Sequence, residues 1–321
     1  MSKLSRRQFV KTGLAVGAAT LAFSSLAARV PNGRGYGNAA YSPGYGPLTL
    51  KKDLSTGLKL LALPEGFEYQ SFGWTGQTMT DGRPTPTDHD GMAVCAKQGS
   101  TIALVRNHEL SAGEGTQCLV PGGMYNMNEY GGTTNLVFDF VRGEFIDSYT
   151  SLGGTIRNCA GGPTPWGSWV SCEETFHGWD SRTDGFNHGY VFDVPGFGIS
   201  NGQPIRAAGR FSHEAVAVDP MTGVMYETED TGESGFYKYV QPGAGHPNWR
   251  GGRDKNELLR DGGELYAMVI NDEFRKDMTN RSGEFAAGDS FSVSWQRVED
   301  PEAVHGRAFD SAPAARYLLA R

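Results

Sequence analysis

The sequence predicts an all-β chain of the β-propeller class, and three observations carry that expectation. Glycine is conspicuous, 45 of 321 residues, and aromatic side chains make up 11%. Glycine supplies the positive φ of tight turns and aromatics fill pleated faces. Past about Leu58, apolar residues run in short β-type stretches between Gly, Pro, Asn and Asp, with little helical periodicity. Finally, those stretches recur in a fixed order, as sheets repeated around an axis do. A β-sandwich also has short, evenly spaced strands, but it leaves the polar clusters described below without a reason to recur.

The N-terminus reads as an export signal. Ser5-Arg6-Arg7-Gln8-Phe9-Val10-Lys11 is a twin-arginine sequence, followed from Thr12 to Ala28 by an apolar run of small residues with a cleavage site near Ser25-Leu26-Ala27. Residues 1–28 are therefore read as a twin-arginine signal peptide. They imply the twin-arginine export machinery as a partner, a periplasmic or secreted protein, and no stable membrane anchor. That route carries folded proteins, so a cofactor can be loaded before export. Residues 29–57, rich in Gly, Asn, Pro and Tyr, read as an extended lead-in. Ordered structure is expected from Leu58. There Leu58–Leu63 runs into a turn at Pro64-Glu65-Gly66, and Phe67–Phe72 alternates like a strand.

The repeat starts further on. His89-Asp90-Gly91, Asn158-Cys159-Ala160 and His213-Glu214-Ala215 each open a stretch that reaches a glycine turn at Gly99, Gly167 and Gly223. A strand follows each turn: Thr101–Val105, Ser168–Ser171 and Val224–Tyr226. Each strand runs into a polar cluster, Asn107-His108-Glu109, Glu173-Glu174-Thr175 or Glu229-Asp230-Thr231. Further strands are expected at Asn135–Asp139, Gly189–Asp193, Phe236–Tyr239 and Phe291–Trp295. Innermost propeller strands face the central channel, so the alignment places Asp90, Cys159 and Glu214 at one station on three blades. Glu173, Glu174, Glu229 and Asp230 fall at another.

Carboxylates gathered at one channel mouth repel unless a cation holds them. Oxygen ligands suit Ca²⁺, and a thiolate among carboxylates suits a transition metal such as iron. The net charge of −7 excludes a phosphate-backbone binder, so no nucleic-acid partner is expected. A lone acidic residue at a strand end is ordinarily solvated or caps a turn, which is the reading for Asp139 and Glu233. His108 reads equally as a ligand neighbour or a core residue, and Trp166 and Trp169 as packing residues. The cysteines are Cys95, Cys118, Cys159 and Cys172. In an exported chain four suggest two disulfides, and no Cys-x-x-Cys pair points to zinc.

The run from Asn158 to Glu174, Asn-Cys-Ala-Gly-Gly-Pro-Thr-Pro-Trp-Gly-Ser-Trp-Val-Ser-Cys-Glu-Glu, resembles the signature of the PhoX family of alkaline phosphatases. His89-Asp90-Gly91, Arg106-Asn107-His108-Glu109, Gly131-Gly132-Thr133-Thr134-Asn135 and Ser212-His213-Glu214-Ala215 support the resemblance, as does the twin-arginine signal. It spans about Leu58 to Trp295. The resemblance implies a six-bladed propeller over residues 58–321 that hydrolyses small phosphoesters and releases phosphate. It also implies Fe³⁺ and Ca²⁺ at the axis. Cys159 and Glu214 would bind iron, with Glu214 bridging to calcium. Glu174 and Asp230 would bind calcium, with Glu173, Glu229 and Asp90 as further metal ligands. It implies that Cys159 is not in a disulfide, that Cys95 and Cys118 are the more plausible pair, and that Cys172 is a buried thiol. No Ser, Thr or His stands in a diagnostic nucleophile context, so the expected nucleophile is a metal-bound oxygen rather than a side chain.

One family segment, of Arg-x-Glu-Gly type, has no counterpart. Arg297-Val298-Glu299-Asp300 has related residues but reads as an earlier loop. The Ala- and Arg-rich stretch after Pro301 reads as a truncation or frame change that removes the last blades. Two other functions fit a carboxylate-lined ring: a non-catalytic or inactive calcium-binding propeller, and a calcium-dependent lactonase-like hydrolase. Cys159 argues against the lactonase, because a calcium-only site has little use for a thiolate.

Overall fold

The computed structural model describes residues 41–42, 44–176, 185–231, 234–245, 259, 261–271, 286 and 288–302. The signal and the stretch from 303 onward lie outside them, as does Glu233. The chain divides into two compact units, Met1–Trp74 and Thr75–Arg321.

The first unit holds two small antiparallel ribbons. β1 (Tyr41–Ser42) pairs with β2 (Gly46–Pro47), and β3 (Thr49–Lys51) with β4 (Leu61–Leu63). Strands thus begin earlier than Leu58. Phe67–Phe72, which alternates like a strand, forms none. Local polar bonds hold it instead. The buried Asp53 carboxylate accepts from the Ser71 backbone N–H at 2.7 Å and from its hydroxyl at 2.6 Å. The Tyr69 hydroxyl donates to Leu58 O (3.0 Å) and accepts from the Leu60 N–H (2.8 Å). Burial alone would raise the pKa of Asp53, but the bonds from Ser71 and Thr56 outweigh it and hold the group at about 2.

The second unit is built of three successive antiparallel meanders. The first sheet runs in order β5 (His89–Gln98), β6 (Thr101–His108), β7 (Gly131–Asp139) and β8 (Glu144–Thr155). The next is β9 (Asn158–Pro163), β10 (Ser168–Glu173) and β11 (Val191–Pro195). The last is β12 (His213–Val218), β13 (Met225–Glu229), β14 (Phe236–Val240), β15 (Glu264–Ile270) and β16 (Val293–Arg297). The opening strand of each sheet is its inner one: β9 packs between β5 and β12. That is the blade arrangement of a propeller, and the strands expected beyond His89 overlap these elements, with Gly189–Tyr190, Val224 and Phe291–Ser292 lying just before them.

Apolar side chains fill the spaces between blades. Val105, Leu152, Trp169, Tyr190, Phe192 and Val194 form one buried cluster, while Trp166, Val170, Cys172, Phe211, Met225 and Tyr237 belong to another. Trp166 and Trp169 are packing residues, as expected. Glycine sets how closely the inner strands approach. A methyl group on Gly91 of β5 would lie 2.8 Å from both the Ala160 Cα and the Cys159 carbonyl oxygen of β9. On Gly162 it would lie 2.1 Å from the Val216 carbonyl oxygen of β12. Both obstacles are backbone, so no rotamer change relieves them. Among the described residues no helix is long and apolar enough to cross a membrane.

Two stability predictions follow from this packing. Gly162→Ala should lower unfolding stability in urea by about 1–3 kcal/mol, the usual range for overpacking; an unchanged midpoint would mean that β9 and β12 can separate freely. Asp193, nearly fully buried in β11, accepts from Trp166 Nε1 at 3.4 Å and from the Leu259 N–H. Burial outweighs those bonds and pushes its pKa up to about 6. The native state therefore binds this proton more tightly than the unfolded chain does. Its contribution is fully present below about pH 4 and is lost as pH rises through 6. The wild type should thus lose stability relative to Asp193→Asn across that interval in denaturation series, and parallel curves would refute the assignment.

Candidate metal centre

The same irregularity lies near the start of each inner strand. In β5 the pairing passes from His89–His108 to Met92–Arg106, so Asp90 and Gly91 together face Asn107. In β9 it passes from Asn158–Glu173 to Gly161–Ser171, leaving Cys159 and Ala160 opposite Cys172. In β12 it passes from His213–Glu229 to Val216–Glu227, leaving Glu214 and Ala215 opposite Thr228. Each is a β-bulge, two residues against one, which bends the strand and re-aims a side chain. The bulged pairs begin with Asp90, Cys159 and Glu214, the residues that the sequence aligned.

These side chains meet the second acidic station. One carboxylate oxygen from each of Glu174, Glu214 and Asp230 lies within 4.8 Å of the others. Cys159 Sγ is 3.9 Å from Glu214 Oε2 and 3.4 Å from the His213 carbonyl oxygen. Asp90 is exposed, and its charge bears on Glu214, Cys159 and Glu109. Burial raises the pKa of Glu214, and Glu174, Asp230 and Asp90 raise it further. A hydrogen bond shared with Glu174 raises that of Asp230. Burial, followed by the nearby carboxylates, pushes the Cys159 thiol well above its ordinary range. Glu214, Asp230 and Cys159 therefore resist carrying their charges together, as expected where a cation belongs.

Glu173 and Glu229 do not join them. Glu173 is fully buried, with Oε1 accepting from the Ile156 N–H (2.9 Å) and His188 Nδ1 (2.7 Å) and Oε2 from the Gly189 (2.7 Å) and Tyr190 (3.1 Å) N–H groups. Glu229 Oε2 accepts from the Gly235 N–H (2.8 Å) and the Tyr237 hydroxyl (3.2 Å). These two carboxylates clasp their own blades. Adjacent strand residues point to opposite faces, so only the second member of each acidic doublet reaches the cluster.

His108 and His213 are internal too. His108 lies between Thr87 O (2.8 Å) and Thr134 Oγ1 (2.9 Å), which settles it as a core residue. His213 bonds Gly209 O (3.2 Å) and stacks on Phe211. Arg297 turns to Glu264 and Glu299 at 3.1 and 3.0 Å.

All four cysteines are free. That matches the expectation for Cys159 and for the buried Cys172, and it corrects the pairing of Cys95 with Cys118. Cys118 is packed against Gly132 and Gly153 of the first blade, whereas the Cys95 thiol bonds Ala93 O at 3.4 Å, with its strand facing Gly167 and Asp193 of the second.

Three residues went unread as site components. Glu109 follows His108, the partner of His89, as Glu174 follows Glu173, the partner of Asn158, and Asp230 follows Glu229, the partner of His213, so register alone could have found it. Arg157 precedes β9 outside the repeat, and its Nη2 lies 2.7 Å from Glu174 Oε2 and 3.0 Å from Glu109 Oε1. Among the described residues it is the cation in contact with this group. The third is Asn107, fully buried opposite the Asp90 bulge. Its amide donates to Ala160 O of the neighbouring bulge at 2.7 Å, and its Oδ1 accepts from Trp169 Nε1 (3.0 Å) and the Ser171 hydroxyl (2.9 Å). One blade thereby holds the cysteine bulge of the next.

Residues 43–138 and 132–315 match the family model of alkaline phosphatase PhoX. The chain belongs to the PhoX family. Residues 3–23 match the twin-arginine translocation signal sequence, which directs this PhoX-family chain across the cytoplasmic membrane, to the periplasm or beyond. No curated protein matches. A solved structure, "Pseudomonas fluorescens PhoX in complex with vanadate, a transition state analogue", is similar at 18% identity and a TM-score of 0.46. The match covers 77% of this chain and 58% of that one, so this chain spans less than two thirds of that relative.

Asn107→Ala removes the partner of the Ala160 carbonyl, of the Trp169 N–H and of the Ser171 hydroxyl proton. It should cost about 3 kcal/mol in urea unfolding, on the scale of buried groups left unpaired. A loss below about 0.5 kcal/mol, within the range of ordinary surface substitutions, would show that the cysteine bulge holds itself.

Proposed function

We propose that this chain hydrolyses phosphate esters outside the cytoplasm, using Ca²⁺ and Fe³⁺ held by the side chains at the inner ends of its blades. The observation that carries the reading is the convergence of Glu174, Glu214 and Asp230 within 4.8 Å, with the Cys159 sulfur 3.9 Å from Glu214. Three oxygen donors on one side suit a hard cation, and a buried thiol beside a carboxylate suits a softer one, so the donor set fits both metals. In this reading Cys159 and Glu214 hold iron, Glu214 is shared with calcium, and Glu174 and Asp230 complete the calcium side. Asp90, exposed above the cluster, adds negative charge at its rim. Such cations supply the Lewis acidity that draws charge off a phosphoryl group.

The chain's own residues fix the donors in place. The three bulges aim them, Glu173 and Glu229 clasp the strands beneath, and Asn107 secures the Cys159 bulge from the adjacent blade. We further propose that residues 1–28 are the cleaved signal, 29–57 the lead-in and 58–321 the propeller portion. Small phosphoesters are the substrate class.

Elemental analysis of the exported protein tests the reading first. Iron and calcium together are expected, and Glu214→Gln should lose at least one of them along with most p-nitrophenyl phosphate hydrolysis. Calcium alone with lactone cleavage would point to a lactonase. Bound calcium with neither activity would leave a binding protein.

A further inference from the structure

We infer that Arg157 is the side chain of this protein that grips the phosphoryl oxygens of the substrate, an inference that rests on the phosphoesterase reading above. The first reason is its backbone. Arg157 has φ of 49°, a left-handed conformation that costs a residue with a Cβ about 1–2 kcal/mol. The fold pins it there from both sides. Its N–H donates to Leu110 O at 2.9 Å, and its carbonyl accepts from the Glu174 N–H at 2.9 Å. Immediately before it, the Ile156 N–H is tied to Glu173 Oε1 at 2.9 Å. Strain that its surroundings enforce this firmly concentrates where a side chain must be delivered to one place.

The second reason is where that place is. Nη2 alone makes both carboxylate contacts, with Glu174 at 2.7 Å and Glu109 at 3.0 Å. Among the described residues neither Nε nor Nη1 has a protein partner, and the side chain is 44% exposed. A guanidinium presents five N–H donors in a rigid plane, matched to planar or tetrahedral oxyanions. Here one nitrogen anchors the plane to the carboxylate cluster, and the remaining donors face solvent beside it. A substrate whose phosphoryl oxygens approach cations on Glu174 therefore arrives beside those donors.

The third reason is charge. A plain counter-ion to Glu109 and Glu174 would become redundant once cations neutralise the same carboxylates. Its attraction is then left for the next anion to arrive, which is the phosphate ester. Other arginines of the unit are committed elsewhere: Arg206 to Glu302, Arg297 to Glu264 and Glu299, and Arg142 to Glu144.

The test uses metal-replete exported protein and inorganic phosphate as the probe. Isothermal titration of phosphate, metal content, and KM and kcat on p-nitrophenyl phosphate are measured for wild type, Arg157→Met and Arg157→Asn. Asparagine tolerates the left-handed backbone, so it keeps the test alive if the methionine variant misfolds. Both variants should bind phosphate at least about tenfold more weakly, with KM raised and metal content unchanged. Phosphate affinity equal to wild type would overturn the inference. So would a loss of metal that accounts for the whole change, because Arg157 would then serve the cations and not the substrate. A wild type that holds its metals but neither binds phosphate nor hydrolyses the ester would sink the parent reading instead.

Discussion

Carboxylates that converge repel, and the inner ends of three blades bring Asp90, Glu109, Glu174, Glu214 and Asp230 into one electrostatic neighbourhood. Much of what is unusual around them is explained as a response to that repulsion. Burial and like charge raise the pKa of Glu214 and Glu109, and Asp230 shares a hydrogen bond with Glu174. Arg157 supplies a single positive charge against several negative ones. A fold that keeps such a group together must hold it rigidly enough that the side chains cannot swing apart into water. The repeated bulge provides that rigidity, because backbone pairing on either side fixes where each donor projects.

The bulge also explains why the blades sit so close. Cys159 and Ala160 are displaced from regular pairing, and the Ala160 carbonyl is taken up by Asn107 of the preceding blade. That bond requires β5 and β9 to approach until only a glycine fits at position 91. The position of the cysteine is thus a property of two blades and not of its own strand. Interior polar networks of this kind stabilise only when every member is satisfied, and here Trp169 and Ser171 complete the set.

Much of this was legible in the residues. The recurrence of a polar residue, a glycine turn, a strand and an acidic cluster gave the blades, and the register of that recurrence placed Asp90, Cys159 and Glu214 together. What the repeat could not show was which member of Glu173-Glu174 or Glu229-Asp230 faces the axis, since both are equally acidic. Strand alternation contained the answer, because neighbours in a strand cannot share a face. Glu109 was lost for a different reason: it sits beside a histidine where the other blades have a second carboxylate, which disguised the doublet. Cys95 and Cys118 show the limit of composition. Export permits disulfides, but only packing decides whether two sulfurs can meet, and these two face different blades.

The protonation state of Cys159 joins the fold to its chemistry. The sulfur is buried beside carboxylates, which raises its pKa and favours the thiol, a poor ligand, over the thiolate. In the proposed metal site a cation at the cluster would reverse both effects, since it would neutralise Glu214 and Glu174 and stabilise the thiolate directly. Binding of the first cation and deprotonation of the sulfur are therefore linked, and each favours the other.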